Sequence, residues 1–481
     1  MLDDLIKERK EKLARYEKVA GAYPAKINRD FKLKEVLTNF SKLSRSKKSF
    51  FVVGRIFSFR DQGKIIFADL EDESTKLQLI FSEKEFKNVK FIKETFDVGD
   101  FVEAKGFVFK TKKGQKSLLV KQCRIIVKSL RPVPVSWYGL TDVETRLRKR
   151  YLDLLVHSET RQLFMRKNIF WQSIRDYLKS NDFLEVETPV FESVPGGADA
   201  EPFTTHHNAL NRDFYLRISL ELPLKKLLVG GYEKVFEIGR IFRNEGIDKE
   251  HLQDYTQLEF YWAYAEYTEL MKFLEKMYKT VIKKTCGGLI TTYAGKEINW
   301  GKKWFTVDYV KEFEKANKLN PTDASREELA VCAGKLGIKV EKSFGKGRLI
   351  DLIFKKTVRP NLIQPCFLIN PPVEIEPLAK RSSKNPKVVE RLQIMAAGTE
   401  LGKGFTELND PLDQRKRFED QMKLREAGDK EAQRLDEDFL EALEYGMPPA
   451  AGFGMSERFF AILMDKPVRE AVIFPLMKEL K

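Results

Sequence analysis

The chain has 481 residues, 42% hydrophobic and 33% charged, with a formal net charge of +15 and a pI near 9.3. This is the composition of a soluble globular protein with two or three domains and at least one large core, and no run of about 18 apolar residues exists to span a membrane. The basic balance favours a polyanionic partner, most commonly nucleic acid, although a generally basic proteome would give the same charge.

The N-terminal stretch is charged from Asp3 onward and has no apolar centre, unlike a secretory signal. Cys123, Cys286, Cys332 and Cys366 are too scattered for a disulfide framework or a zinc pattern, which fits a reducing, cytoplasmic setting. Residues 1–45 are lysine-rich with apolar positions at helical spacing and read as a helical extension. From Phe51 the period changes to short β-rich runs (FFVVGRIFSFR, KIIFADLED, KLQLIF, FVEAKGFVFK, SLLVKQCRIIV), separated by turns such as Asp61-Gln62-Gly63 and Lys113-Gly114. Five strands in so short a span suggest a small barrel over residues 46–132, and the OB-fold is a five-stranded nucleic-acid-binding barrel. Lys105, Lys110, Lys112, Lys113, Lys116 and Lys121 fall on its later strands, interleaved with aromatics, as an RNA-facing surface requires; a solvated lysine face is the alternative. Two closely spaced prolines mark a linker over 133–145, and 146–481 reads as a long α+β region in which residues 264–361 are a largely helical insertion or packing element.

Three segments carry chemistry. In the first, Asp182 to Pro189, a helix end runs into a strand with a proline. The second runs from Phe242-Arg243-Asn244-Glu245 through a polar loop to His251 and on to Tyr255-Thr256-Gln257-Leu258-Glu259-Phe260. Arg243 and Glu245 on an apolar strand are unusual unless they meet a ligand or each other. The third, Gly452-Phe453-Gly454-Met455-Ser456-Glu457-Arg458, is a glycine-containing strand leading into a helix, where glycines let backbone approach a nucleotide.

Together these resemble motifs 1, 2 and 3 of the class II aminoacyl-tRNA synthetases. Long further segments (GLTDVETRLRKRYLDL, VPGGADAEPFTTHHNAL, LRISLELPLKKLLVGGYEKVFEIGRIFRNEG, IQPCFLINPPVEIEPLAK, ELGKGFTELNDPLDQ) resemble the lysyl-tRNA synthetases over nearly the whole chain. The resemblance implies an α+β protein: an N-terminal five-stranded OB-fold barrel, then a catalytic domain on a mainly antiparallel sheet flanked by helices. It also implies a homodimer, with ATP, L-lysine and lysine tRNA as substrates and Mg2+ as cofactor. Activation needs no general base, because the attacking lysine carboxylate is already anionic; it needs positioning and neutralised phosphate charge.

The roles implied are these. Arg243 holds the α-phosphate and the lysine carboxylate, Arg458 and His251 reach the distal phosphates, Glu245 reads adenine and Tyr255 stacks on it. Glu221 and the Gly197 backbone hold the α-amino group, Glu407 and Tyr261 bind the ε-ammonium with Glu259 close by, and Phe405 packs on the stem. Arg60 and Phe67 contact the anticodon.

Four positions depart from the family pattern. A metal-ligating glutamate seven residues before Glu400 is Gln393, a poorer magnesium ligand. An asparagine of the lysine pocket is Lys403, whose ammonium is expected to turn toward the substrate carboxylate and α-phosphate beside Arg243. Motif 3 is one residue short between Gly454 and Arg458, and an anticodon-reading glutamate is Gln115. The competing readings are three. An aspartyl or asparaginyl enzyme is disfavoured by Glu407 and Glu259, although Gln257 leans that way. A lysine-ligating enzyme that modifies a translation factor is disfavoured by the barrel. A catalytically dead paralogue is disfavoured by Arg243 and Arg458.

Overall fold

The structure is a computed structural model that describes residues 2–134, 140–246, 252–429 and 432–479. The chain divides into two compact units, Met1–Val156 and His157–Lys481.

In the first unit, five strands close into a barrel in the order β1-β2-β3-β5-β4. They are β1 (Phe50–Asp61), β2 (Ile65–Glu71), β3 (Lys76–Ser82), β4 (Phe101–Lys110) and β5 (Lys116–Val127). Strict alternation sends Val52, Ile56, Ile66, Ala68, Leu70, Leu79 and Val102 inward, where each is fully buried. The N-terminal helix α1 (Leu2–Glu17) docks on this barrel through polar as well as apolar contacts. Arg9 donates to the carbonyls of Ser129 (2.7 Å) and Val98 (3.1 Å), and the Tyr16 hydroxyl accepts from Ile125 N at 2.9 Å.

The second unit is built on an eight-stranded sheet. Its strands are β6 (Leu184–Glu185), β7 (Lys234–Phe242), β8 (Asp254–Ala263), β9 (Phe305–Asp308), β10 (Cys366–Ile369), β11 (Arg391–Ala396), β12 (Thr399–Thr406) and β13 (Ala450–Ser456), arranged β9-β10-β11-β12-β13-β8-β7-β6. All neighbours are antiparallel except β6 with β7 and β9 with β10. One face carries Phe236, Leu258, Phe260, Phe453 and Met455 into a core shared with α2 (Ser158–Lys179) and α3 (Tyr267–Cys286). The spacing of Leu270, Phe273, Leu274, Met277, Tyr278 and Val281 gives α3 a continuous apolar stripe against that face. The residues between them in the strands, Gln257, Glu259, Tyr261, Gly452, Gly454 and Ser456, line the cavity on the other face.

The stretch expected to be a helical insertion is helix-rich but not separate from the core. Its α3 supplies much of the packing under the sheet, and its β9 forms one sheet edge.

The motif 1 segment is held by a buried charge pair. Arg217 Nη1 lies 2.7 Å from Glu237 Oε1, and both side chains are only 4% exposed. Glu237 Oε2 accepts from the backbone N (2.9 Å) and hydroxyl (2.7 Å) of Thr188, next to Pro189, while Arg217 donates to the carbonyls of Thr188 (3.0 Å) and Arg240 (2.8 Å). Gly239 leaves the room this network needs, since a Cβ there would stand 2.7 Å from Glu237 Oε1. Arg217→Met strands a buried carboxylate and is expected to lower unfolding free energy by about 3 kcal/mol. Chemical denaturation showing a loss well under 1 kcal/mol would contradict the importance given to this pair.

Candidate active site

Two adjoining cavities open on the polar face of the sheet, and Asp199, Arg243, Tyr255, Ser456 and Arg458 line both. The larger, of about 820 Å3, also has Glu201, Asn244, Glu245, Phe344, Arg348, Lys355 and Glu457 in its wall. The smaller, of about 290 Å3, has Gly197, Ser219, Glu221, Gln257, Glu259, Tyr261, Glu400, Lys403, Phe405, Gly452 and Gly454. Both walls carry mixed charge: the first holds Arg348 and Lys355 besides the shared Arg243 and Arg458, and the second holds Glu221 and Glu259.

Strand register explains the smaller cavity. Glu237, Glu259, Gly454, Lys403 and Gln393 stand in one row across five strands, and Val235, Tyr261, Gly452, Phe405 and Arg391 in the next. Glu259 is a hub within it. Its Oε1 accepts from Ser219 Oγ (2.6 Å), Leu220 N (2.9 Å) and Gln257 Nε2 (2.5 Å), and its Oε2 from the Tyr261 hydroxyl at 3.0 Å. Gln257 is thus explained as a support for Glu259, and Tyr261 is bonded to Glu259, where the sequence paired it with Glu407.

Glu407 lies just past β12 and is wholly buried, with its backbone N donating to Ala450 O at 2.8 Å. Its Oε2 is ion-paired with Lys225, and its Oε1 has no hydrogen-bond partner. A Cβ on Gly452 would overlap that Oε1 and come within 2.6 Å of the Tyr261 ring. Lys225, on helix α4 (Glu221–Val229), also contacts Glu221 Oε1 at 2.6 Å and is itself fully buried. The sequence reading passed over it, because a lysine in ELPLKKLL looks like a solvated helix face. Burial drives the Glu221 carboxyl up to about 7, and Lys225 opposes that rise.

Lys403 does not turn toward Arg243 as expected. Its ammonium pairs with Glu376 Oε2 at 3.0 Å, and Arg391 Nη1 approaches the same oxygen at 3.4 Å. Burial disfavours the Lys403 charge, but Glu376 and then Glu400 outweigh it and raise its pKa. The Gln393 amide donates to Glu400 Oε2, across the row from Lys403. Burial works against the Glu400 charge too, yet Lys403, Arg391, Arg458 and Lys355 hold it below the ordinary carboxylate value. Among the described residues no three His, Cys, Asp or Glu side chains converge as metal ligands. That geometry gives no all-protein cage, and it still fits a Mg2+ ion held by Glu400 and substrate phosphates, the usual manner for this ion.

Arg243, Asn244 and Glu245 lie just beyond the end of β7 and not within it. Arg243 donates to Ile218 O at 3.3 Å and sits 5.8 Å from the centre of the Tyr255 ring. The expected contact His251 falls outside the described residues. Asp199, absent from the sequence reading, lines both cavities, and burial pushes its carboxyl up to about 6.

On the barrel, Arg60 and Phe67 are directly paired across β1 and β2; Arg60 is 60% exposed and Phe67 half-buried. Gln115 is exposed in the turn joining β4 to β5. Of the six lysines, Lys105 sits over Phe51, Lys116 over Phe40, and Lys121 over Phe107 while paired with Glu85, so Lys110, Lys112 and Lys113 form the open part of the cluster.

Comparison with known proteins agrees with this geometry. Residues 142–478 match the model of tRNA synthetases class II (D, K and N), and residues 50–126 match the OB-fold nucleic acid binding domain. The chain is 42% identical to a lysine–tRNA ligase of Carboxydothermus hydrogenoformans over 99% of its own length and 98% of the relative's. It is 45% identical to one of Moorella thermoacetica over 89% and 88%, and 40% identical to one of Roseiflexus castenholzii over 99% of both. The chain therefore belongs to the class II tRNA synthetases and, within them, to the lysine–tRNA ligase family. The competing aspartyl, asparaginyl and factor-modifying readings fall away.

Because a Cβ at Gly452 would displace Glu407 and Tyr261 behind the wall of the smaller cavity, Gly452→Ala is expected to raise the KM for lysine in ATP–pyrophosphate exchange by about tenfold or more, with the KM for ATP within about twofold. An unchanged lysine KM would mean that this part of the wall does not meet the substrate.

Proposed function

We propose that the smaller cavity receives lysine and the larger one ATP, so that the activity of the family, ATP-driven joining of lysine to its tRNA, runs across their shared wall. The observation that carries this reading is Glu407 Oε1: a wholly buried carboxylate oxygen without a hydrogen-bond partner, packed directly behind Gly452 and Tyr261 in the wall of the smaller cavity. A dry acidic floor selects a cationic side chain, because a neutral analogue leaves the carboxylate unpaired.

In this proposal Glu407 takes the ε-ammonium, with the Tyr261 hydroxyl oxygen as a second acceptor, and Phe405 packs on the stem. Glu221 and the Gly197 carbonyl take the α-ammonium. Glu259 acts indirectly, by fixing Ser219, Leu220 and Tyr261. Arg243 then lies between the lysine carboxylate and the α-phosphate. The carboxylate oxygen attacks the α-phosphorus, the bond to the bridging oxygen breaks, and pyrophosphate leaves. The terminal ribose hydroxyl of the tRNA next attacks the carbonyl carbon, releasing AMP and passing its proton to solvent. Arg243 and Arg458 neutralise the phosphates, Tyr255 stacks on adenine and Glu245 accepts from its amino group. A Mg2+ ion held by Glu400 would supply further charge neutralisation on the phosphates. Gln393, whose amide already donates to Glu400, is not assigned as its ligand. Arg60, Phe67 and Gln115 read the anticodon, with Phe67 as the stacking platform.

Activation and RNA recognition are thereby assigned to different units, and two variants separate them. Arg243→Ala should abolish lysine-dependent ATP–pyrophosphate exchange, a loss of several kcal/mol in transition-state stabilisation. Phe67→Ala should keep exchange and lose about tenfold in charging efficiency, from the KM for tRNA. Near-normal exchange by Arg243→Ala would refute the assignment.

The Lys403–Glu376 pair carries a second expectation. Lys403→Asn removes a cation beside Glu400 and leaves Arg391 on Glu376. The Mg2+ concentration giving half-maximal exchange should rise, with the lysine KM nearly unchanged. A clear fall in lysine KM at unchanged kcat would instead mark Lys403 as repelling the substrate.

We further propose that the chain acts as a cytoplasmic homodimer. Met165 and Ile169 on α2 and Leu184, Val190 and Phe191 around Pro189 are 37–66% exposed, an apolar surface suited to a two-fold interface. Light scattering at micromolar concentration should give twice the chain mass of 55.9 kDa, and a monomer would exclude this arrangement.

A further inference from the structure

The resident ammonium of Lys225 stands between the two carboxylates assigned to the substrate. It engages one oxygen of each, Oε1 of Glu221 at 2.6 Å and Oε2 of Glu407, and is itself wholly buried. The Phe405 ring lies 5.4 Å away, the Phe439 ring 5.9 Å and the Tyr261 ring 6.0 Å, so aromatic faces enclose the ammonium. This is a lysine head group, solvated by carboxylates and aromatic rings, within a site for lysine.

We propose that Lys225 is a positioning residue for substrate recognition: its ammonium bridges Glu221 and Glu407, holds them at a fixed separation, and leaves the second oxygen of each for the incoming ammonium groups. The role rests on the assignment of Glu221 and Glu407 to lysine.

Burial raises both carboxyls, Lys225 opposes that rise in each, and Glu221 adds to the rise of Glu407. Two such carboxylates without a shared cation cannot both stay ionised at neutral pH. The other groups facing them do not replace Lys225. From β8, Glu259 adds negative charge and the Tyr261 hydroxyl is committed to Glu259. From the neighbouring segments, Glu376 raises Glu407, and Lys403 lowers Glu221 but is paired with Glu376. Without Lys225 one carboxyl would hold a proton that the substrate ammonium must displace. A bridging cation that leaves Glu407 Oε1 without a hydrogen bond also sets where the substrate ammonium sits, because that oxygen lies behind Gly452 and Tyr261, two residues of the smaller cavity's wall.

The test compares wild type, Lys225→Met, Lys225→Arg and Glu407→Gln by ATP–pyrophosphate exchange across pH and by calorimetric titration with lysine. Lys225→Met should raise the lysine KM about 30-fold at neutral pH, move the pH midpoint of kcat/KM for lysine upward by about one unit, and keep the KM for ATP within about twofold. Lys225→Arg, which keeps the charge, should recover part of the affinity and most of the pH midpoint. Should Lys225→Met fail to fold, Lys225→Gln, which can still donate to a carboxylate, carries the same expectation. The proposal is overturned by a neutral variant with wild-type lysine KM and pH midpoint, or by one that binds lysine more tightly, which would make Lys225 a competitor of the substrate. It is equally overturned by matching losses toward lysine and ATP at an unmoved midpoint, the mark of a purely structural role. Impaired Glu407→Gln beside an unaffected Lys225 variant would remove only the role of Lys225. An unaffected Glu407→Gln would remove the pocket assignment itself.

Discussion

A buried carboxylate is costly until donors or cations surround it, and the buried carboxylates of the second unit include Glu221, Glu237, Glu259, Glu376 and Glu407. The architecture of the site follows from how each is answered. Glu237 is met by Arg217 and Thr188, which fastens the motif 1 segment to the sheet. Glu259 is met by four donors, three from groups that line or flank the smaller cavity. Glu376 is met by Arg391 and Lys403, and Glu221 and Glu407 share Lys225. Glu407 Oε1 is left without a hydrogen bond, packed against Gly452.

In the proposed arrangement four cations of the larger cavity, Arg243, Arg348, Lys355 and Arg458, would meet a polyphosphate, and Glu221 in the wall of the smaller one, with Glu407 behind it, would meet the two ammonium groups of lysine. Arg243 and Arg458 border both, at the place where a carboxylate and an α-phosphate would have to meet. Neither needs to move a proton. Their contribution is fixed positive charge in a site partly closed to water, where it acts more strongly than in bulk solvent.

Two of the positions that depart from the family pattern, Lys403 and Gln393, are neighbours in space. Lys403 and Gln393 are paired across β11 and β12, Gln393 bonds to Glu400, and Lys403 bonds to Glu376. The cation in this acidic pocket therefore meets a counter-charge in Glu376. The amide that replaces a carboxylate becomes a donor to the retained one. The changes redistribute charge near Glu400 while the acidic floor under Glu407 is untouched.

Much of this protein was legible before any coordinates. Turn-punctuated alternating runs announced the barrel, because a half-buried strand must alternate. The three motifs announced the catalytic domain through their joint resemblance to the class II enzymes; the reading of Arg243 and Glu245 as charges within an apolar strand did not hold, since both lie just past its end. The sequence also named Glu221, Glu259 and Glu407 as a group, through the long resemblance to lysine enzymes. It could not say how those carboxylates are partnered. Lys225 and Glu407 are far apart in the chain, as are Lys403 and Glu376, and only strand register and the seating of one helix bring them within ion-pair distance. In one dimension Lys225 is an ordinary surface lysine of a helix and Glu259 a substrate ligand. In three, the first is a buried bridge and the second a scaffold. Composition and periodicity report which face a residue prefers, whereas the partner of a buried charge depends on distances that exist only after the chain has closed on itself.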